Sequence, residues 1–329
     1  MTRPEVGSGG AGSEVAVLGE VAVDLVAQVD RLPERGGFAL ARSYSRFAGG
    51  SAGNVAAGLA RMGCRVSFFG ELGDDPDGRF LIRAFKREGV DTSNVLRVPG
   101  WATPRCMVLV ERGGSRVIIG LPRSRTEAET QDFDLDLIRR SQCVFFGPAH
   151  TDLSRKVVEA VDLRSALKCY APGGLCHCLD AEDLMPVVSQ MDVLLLNEGE
   201  ALALTGGRTA ESAAEQLIGA GPDLVAVTLG SRGVLIALGQ ERYRVRSVPV
   251  SSIRDKTGAG DAFAAGFVAS YLRHLDPQGS AHVGSAAAAL TIQRLGARTG
   301  MPTWKAARTL AEAQFGHPVH ISPRREGTQ

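Results

Sequence analysis

The chain has 329 residues, with 37 Lys and Arg against 36 Asp and Glu, 44% apolar residues and 5% aromatics. At roughly 100–200 residues per domain it makes two domains or one large α/β domain, with the composition of a globular protein. The balanced charge argues against a nucleic-acid binder with a basic field, and the scarcity of aromatics against a stacking platform for single strands.

Residues 1–13 are rich in Gly and Ser, lack the apolar core of a signal peptide, and read as a disordered tail. Gly7, Gly9 and Gly12 match the spacing of a dinucleotide fingerprint, but a strand follows them where one should precede. No apolar run is long enough to cross a membrane, so no membrane association is expected. The six cysteines are scattered through a long chain without an export signal, which predicts free thiols and a cytoplasmic protein. Cys169, Cys176, His177 and Cys178 are zinc ligands by type, but their spacing is not that of paired ligands.

Val15–Gly19 is a short β-branched run ending at glycine, a predicted buried strand. In the segment from Gly53, Val55, Leu59 and Met62 recur at helical spacing, with Asn54 as the expected N-cap and Gly63 as the C-cap. RVSFFGELG then reads as a strand and DPDGRFLIRAFKREGV as a helix, and PRCMVLVERGGSRVIIG as a hairpin about Gly113-Gly114. Beyond residue 130, CVFFG, VLLLN and LVAVTLG are continuous apolar runs, the pattern of parallel strands covered on both faces. EAVDLRSAL and SAAEQLIGA read as helices between them. The alternation predicts a doubly wound, mostly parallel α/β sheet. The polar hairpins near 38–47 and 104–120 do not fit it and read as a small β appendage, and residues 316–329 read as a loose tail.

The chemistry concentrates in four segments. In Asp255-Lys256-Thr257-Gly258-Ala259-Gly260-Asp261 a glycine-rich turn opens a long helix. The amides of Gly258, Ala259 and Gly260 can converge on one anion, helped by the helix dipole, beside Asp261 as a proton acceptor. Read alone, Asp261 would be a helix cap. Gly49-Gly50-Ser51-Ala52-Gly53-Asn54 brings backbone close to a ligand and offers the Asn54 amide to a polyhydroxylated substrate, or is a turn with a cap. Asn197-Glu198-Gly199-Glu200 follows an apolar strand and suits magnesium through waters, or a helix start. Thr228-Leu229-Gly230-Ser231-Arg232-Gly233 follows another, as a phosphate contact or a hairpin turn.

Taken in order, these segments resemble the ribokinase/PfkB carbohydrate kinase family over residues 14–312. The signatures fall on Gly49, Gly50 and Asn54, on DKTGAGD, on Asn197 and Glu200, and on Thr228, Gly230 and Gly233. The resemblance implies a ribokinase-like domain at 14–315 whose two hairpins form a β-sheet lid, and a soluble enzyme that transfers the γ-phosphate of ATP to a hydroxymethyl group of a small sugar or a nucleoside. It implies Asp261 as base, Gly258–Gly260 as anion hole, and Asp24 with Gly49, Gly50 and Asn54 as the acceptor pocket. Asn197 and Glu200 would organise Mg²⁺, Thr228, Gly230 and Gly233 would line the ATP site, and Ser285 would open the helix near adenine. Asp255 and Thr257 fall where a K⁺ site is placed, and a homodimer through the lid is compatible with it. Departures are Ser51 in place of the lysine of the ribokinase signature, Gly53 before Asn54, Lys256 for threonine, and CYAPGGLCH where acid-sugar kinases carry an arginine. A sugar-binding protein without turnover is the reading from another class; the intact base and glycine turn weigh against it.

Overall fold

The computed structural model describes residues 14–121, 129–148, 151–274 and 276–315. The tails expected at 1–13 and 316–329, and the Gly7–Gly12 pattern, lie outside the described residues. The strands are β1 (Glu14–Leu18), β2 (Ala22–Gln28), β3 (Ser43–Gly49), β4 (Arg65–Gly73), β5 (Val95–Val98), β6 (Arg105–Val110), β7 (Arg116–Gly120), β8 (Cys143–Phe146), β9 (Leu167–Tyr170), β10 (Val193–Asn197), β11 (Leu224–Thr228), β12 (Val234–Leu238) and β13 (Glu241–Val245). The helices are α1 (Ser51–Arg61), α2 (Pro76–Glu88), α3 (Leu135–Arg140), α4 (Thr151–Ala160), α5 (Ala181–Val188), α6 (Glu198–Thr205), α7 (Ala210–Gly219), α8 (Ala259–Tyr271), α9 (Pro277–Thr291) and α10 (Trp304–Phe315).

Nine strands form one sheet in the order β13-β12-β11-β10-β9-β8-β1-β4-β5. It is parallel from β11 to β5, with β12 and β13 antiparallel at one edge. The apolar runs are continuous because alternate side chains enter different cores. Val15 and Val17 pack on the side of α1, α8 and α9, whereas Ala16 and Leu18 pack on the side of α4, α5 and α7. Burying an aromatic such as Phe267 in the first core is worth about 3–5 kcal/mol by large-to-small substitution.

Local chemistry sets the element ends. Asp75 caps α2 by accepting from the Gly78 amide, and Gly89 ends it in the left-handed region at φ 78°. Two expected boundaries are corrected. The helix expected over EAVDLRSAL stops at Ala160, because Asp162 accepts the Arg164 amide at 3.1 Å, a local turn that competes with the helix. Helix α1 begins at Ser51 with Gly50 as its N-cap, so Asn54 lies inside the helix rather than capping it.

A separate four-stranded sheet runs β3-β2-β6-β7. The β6–β7 hairpin lies where the alternation of 104–120 predicts it. The first lid segment differs: residues 38–42 form no strand, β3 runs from Ser43 to Gly49, and its partner is β2, which the sequence reading did not assign to the lid. An inner strand of this small sheet therefore carries Asp24.

Candidate active site

The chain passes from β1 through β2 and β3 to β4 on one side, and only later fills the other side with β8. The carboxyl ends of β1 and β8 thus bound a topological switch point, where open α/β sheets hold ligands. The start of α1 sits there. A Cβ at Gly19 or Gly147 would lie 2.6 Å or 2.5 Å from the Ala52 Cβ, so both glycines are needed for the approach.

Asp261 stands in the first turn of α8, after Gly258, whose φ of 79° is left-handed. A Cβ at Gly258 would lie 2.6 Å from the Ala297 carbonyl, whereas nothing lies near one at Gly260, leaving the turn open to a ligand. The Asp261 carboxylate turns toward α1. Ser51 donates its hydroxyl to Oδ1 at 2.6 Å, and Asn54 donates Nδ2 to Oδ2 at 2.7 Å. Burial pushes the Asp261 carboxyl above its ordinary value, against the two donors and the charges of Arg116 and Arg298. Both ends of the Asn54 amide are engaged, for its Oδ1 accepts from Arg298 Nε at 2.8 Å.

Asp24 is 5% exposed, and a Cβ at Gly49 would run into its carboxylate. Burial pushes it up to about 7; Arg298 opposes the rise, and Asp261 and Asp255 add to it. Register places Asp24 opposite Cys106, Cys106 opposite Gly120, and Val110 opposite Arg116, so Arg116 shares the lid face of Asp24. Val26, Val108, Val110 and Leu295 cluster on that face, which turns it toward the body. The tip of the β6–β7 hairpin docks on the segment before the glycine turn, where Lys256 N donates to the Gly114 carbonyl at 3.3 Å.

Asn197 and Thr228 are register partners at the carboxyl ends of β10 and β11. Asn197 and Glu200 form a reciprocal capping box at α6, each accepting the other's backbone amide at 2.9 Å. Glu200 is pushed up to about 7, chiefly by burial. Thr228 and Gly233 flank an antiparallel hairpin turn, and Gly233 is required because a Cβ would strike the Val245 carbonyl. Gly230, at φ 61° with nothing near its Cβ position, leaves room for a phosphate. Ser285 does not open its helix as expected: Asp276 caps α9, which starts at Pro277, and Ser285 lies mid-helix. Its buried hydroxyl has no partner among the described residues, a polar group free for a ligand. These groups fit a triphosphate. They fit Mg²⁺ through phosphate oxygens and water, since among the described residues no cluster of three or more acidic, His or Cys side chains could hold it outright.

Asp255 is fully buried, with Oδ1 accepting the Thr257 amide and Oδ2 the Gly296 amide, each at 2.8 Å. The Thr257 hydroxyl beside it is buried without a partner among the described residues. Lys256 points away, exposed.

Three groups escape the sequence reading as side chains: Ser51 bonded to Asp261, Arg116 on the lid, and Arg298 bonded to Asn54 and the Gly49 carbonyl. Gly53 carried a usable signal. A glycine in the first turn of a helix disfavours that helix, and here its missing Cβ leaves the space taken by Arg298 Nη2, 2.5 Å from where the Cβ would be.

A model of the pfkB family carbohydrate kinases matches residues 13–304. An uncharacterized sugar kinase of Archaeoglobus fulgidus is 31% identical over 252 residues, covering 74% of this chain and 98% of its own. An ATP-dependent ribose-1-phosphate kinase of Halopiger xanaduensis is 30% identical over 303 residues, covering 92% and 99%. The structure of Arabidopsis thaliana ribokinase complexed with ribose and ATP superposes with a TM-score of 0.79 at 25% identity, covering 92% and 99%. Fold, glycine turn and family match converge, and the chain belongs to the pfkB family of carbohydrate kinases, phosphotransferases with an alcohol acceptor.

Proposed function

We propose that this kinase transfers the γ-phosphate of ATP to a hydroxymethyl group of a small sugar, with Asp261 as general base. The observation that carries the reading is the Asp261 carboxylate, held between Ser51 and Asn54 at the mouth of the open Gly258–Gly260 turn. A carboxylate so held takes the hydroxyl proton, while the amides of Gly258, Ala259 and Gly260 and the N-terminus of α8 stabilise the charge that spreads over the phosphoryl group. Asp24, with Gly49 and Gly50, receives the sugar hydroxyls from the lid side. Thr228, Gly230, Gly233 and Ser285 line the ATP site, and Asn197 and Glu200 orient the waters of Mg²⁺. The docked lid excludes water from the phosphoryl group.

Two observations favour a sugar over a nucleoside. A base needs an aromatic sandwich, yet Phe38 is 89% exposed, and Tyr44 pairs with Ala27 on the lid face opposite Asp24. Phe47 packs against the Gly296 backbone. We rank pentoses, free and phosphorylated, first among acceptors because two of the relatives are named for ribose and ribose-1-phosphate. The test is an ATP-consumption screen over pentoses, pentose phosphates, hexoses, ketodeoxygluconate and nucleosides. Turnover with a sugar and none with nucleosides is expected; no turnover with any of them would favour a binding protein.

Asp255 and Thr257 make a K⁺ site in this reading, supported by the unpartnered Thr257 hydroxyl beside a buried carboxylate. A cation there would order the turn before charge develops, so K⁺ is expected to raise kcat and leave KM for the sugar unchanged. Titration against a bulky organic cation at constant ionic strength checks this, and a flat kcat rejects the site. The lid face opposite Asp24 exposes Tyr44, Met107, Val117 and Ile119, an apolar surface suited to a second copy. Sedimentation should show a dimer; a monomer at micromolar concentration would reject it. None of the six cysteines, all among the described residues, forms a disulfide.

A further inference from the structure

Arg298 lies in the loop after α9, 6% exposed, and its guanidinium bonds groups far away in the sequence. Its Nε donates to Asn54 Oδ1 and its Nη2 to the Gly49 carbonyl, each at 2.8 Å, and its plane lies 5.1 Å over Phe85. Its Nη1 is buried with no partner among the described residues. Stability alone does not favour a buried guanidinium with an orphaned donor. Its bonds point instead to the base.

A carboxamide can face either way, and its two ends have opposite hydrogen-bonding character. Arginine only donates, so Arg298 accepts no orientation of Asn54 but the one with Oδ1 toward it. That orientation presents Nδ2 to Asp261. The reversed amide would aim an oxygen at the Asp261 carboxylate. We propose that Arg298 is a positioning residue for the reaction: through Asn54 it fixes the amide donor that holds Asp261 in place, and Gly53 is glycine to admit it. The proposal rests on the reading of Asp261 as the base. It also accounts for a departure from the ribokinase signature, since Gly53 leaves the volume that the guanidinium occupies.

The groups around Asp261 define what a test must separate. Arg298 and Arg116 favour its charged form, as do Ser51 and Asn54, while Asp24 and Glu200 are like charges near it. Losing Arg298 removes a positive charge and frees the Asn54 amide to turn, and both changes raise the Asp261 pKa. The readout is the titration of its side-chain carboxyl by NMR in ¹³C-aspartate-labelled protein, assigned by its disappearance in Asp261→Asn. That measurement needs no knowledge of the acceptor.

Arg298→Met is expected to move this titration up by about one unit or more and to lower kcat by about 10–100-fold, with KM for ATP within about twofold. Arg298→Lys, which retains a donor and the charge, recovers part of both. Gly53→Ala crowds the guanidinium and shifts the titration the same way, but adds little on the Arg298→Met background. If Arg298→Met does not fold, Arg298→Lys and Gly53→Ala decide by the same titration. An unmoved titration in folded Arg298 variants, or full additivity with Gly53→Ala, overturns the proposal. Asp261→Asn separates the two failures: near wild-type turnover there refutes the base, whereas loss of turnover with an unmoved titration refutes only Arg298.

Discussion

Asp261→Asn is expected to fold and to lower kcat by about 10²–10⁴-fold, the range that a positioned general base contributes. The substitution preserves shape and leaves the anion turn and the ATP contacts untouched, so KM for ATP should hold. Its effect on stability has a definite sign. Burial raises the Asp261 pKa above its unfolded value, so any stability the carboxyl contributes is complete at low pH and is lost as pH rises through the folded pKa. Removing that charge cannot destabilise the fold by this route at neutral or alkaline pH. Thermal unfolding at pH 8 should show a Tm for the variant no lower than that of the parent, alongside the loss of turnover. A variant that turns over nearly as fast as the parent would remove Asp261 from the role.

Asp24→Asn should act on the acceptor alone, raising its KM by about 10–100-fold, because charged acceptors of hydroxyl hydrogen bonds are worth about 1.5–3 kcal/mol each. The pH dependence is the sharper signature. With its carboxyl pushed up to about 7, Asp24 is half protonated near neutrality. Below pH 7 the ionised fraction falls toward tenfold per unit, so KM for the sugar should rise as pH falls and level off above pH 8. In Asp24→Asn that slope should vanish. Stability runs the other way: the raised pKa means that ionised Asp24 costs folding free energy above pH 7, on the order of 4 kcal/mol for a shift from 3.8 to about 7. The variant should therefore unfold at a higher temperature than the parent at pH 8, and near the same temperature at pH 4. Equal losses in the KM for sugar and for ATP, with no gain in Tm, would make Asp24 a structural residue.

In the proposed site these two carboxylates set function against stability. Both are held where burial disfavours their charged form, and both are near Arg298, whose own pKa is pulled down to about 10 by burial. On the proposed reading, substrate binding offsets the cost of burying these charges that the unliganded fold carries.

The sequence by itself determined the architecture and the position of the glycine turn. Apolar runs such as Val193–Asn197 and Leu224–Thr228 can satisfy both faces only between two helical layers, and the turn needs glycine at a left-handed position before α8. Those are local constraints, written in adjacent residues. Tertiary structure decided which side chains meet. Asn54 has the local character of a cap, yet Gly50 caps α1 and the Asn54 amide bridges Asp261 and Arg298, residues 207 and 244 positions away. Asp24 belongs to the lid because β2 pairs with β3 and β6, a choice invisible in its own seven residues. Hydrogen bonds and charge pairs between distant segments depend on how the layers and the lid close on one another, and no spacing along the chain encodes that distance.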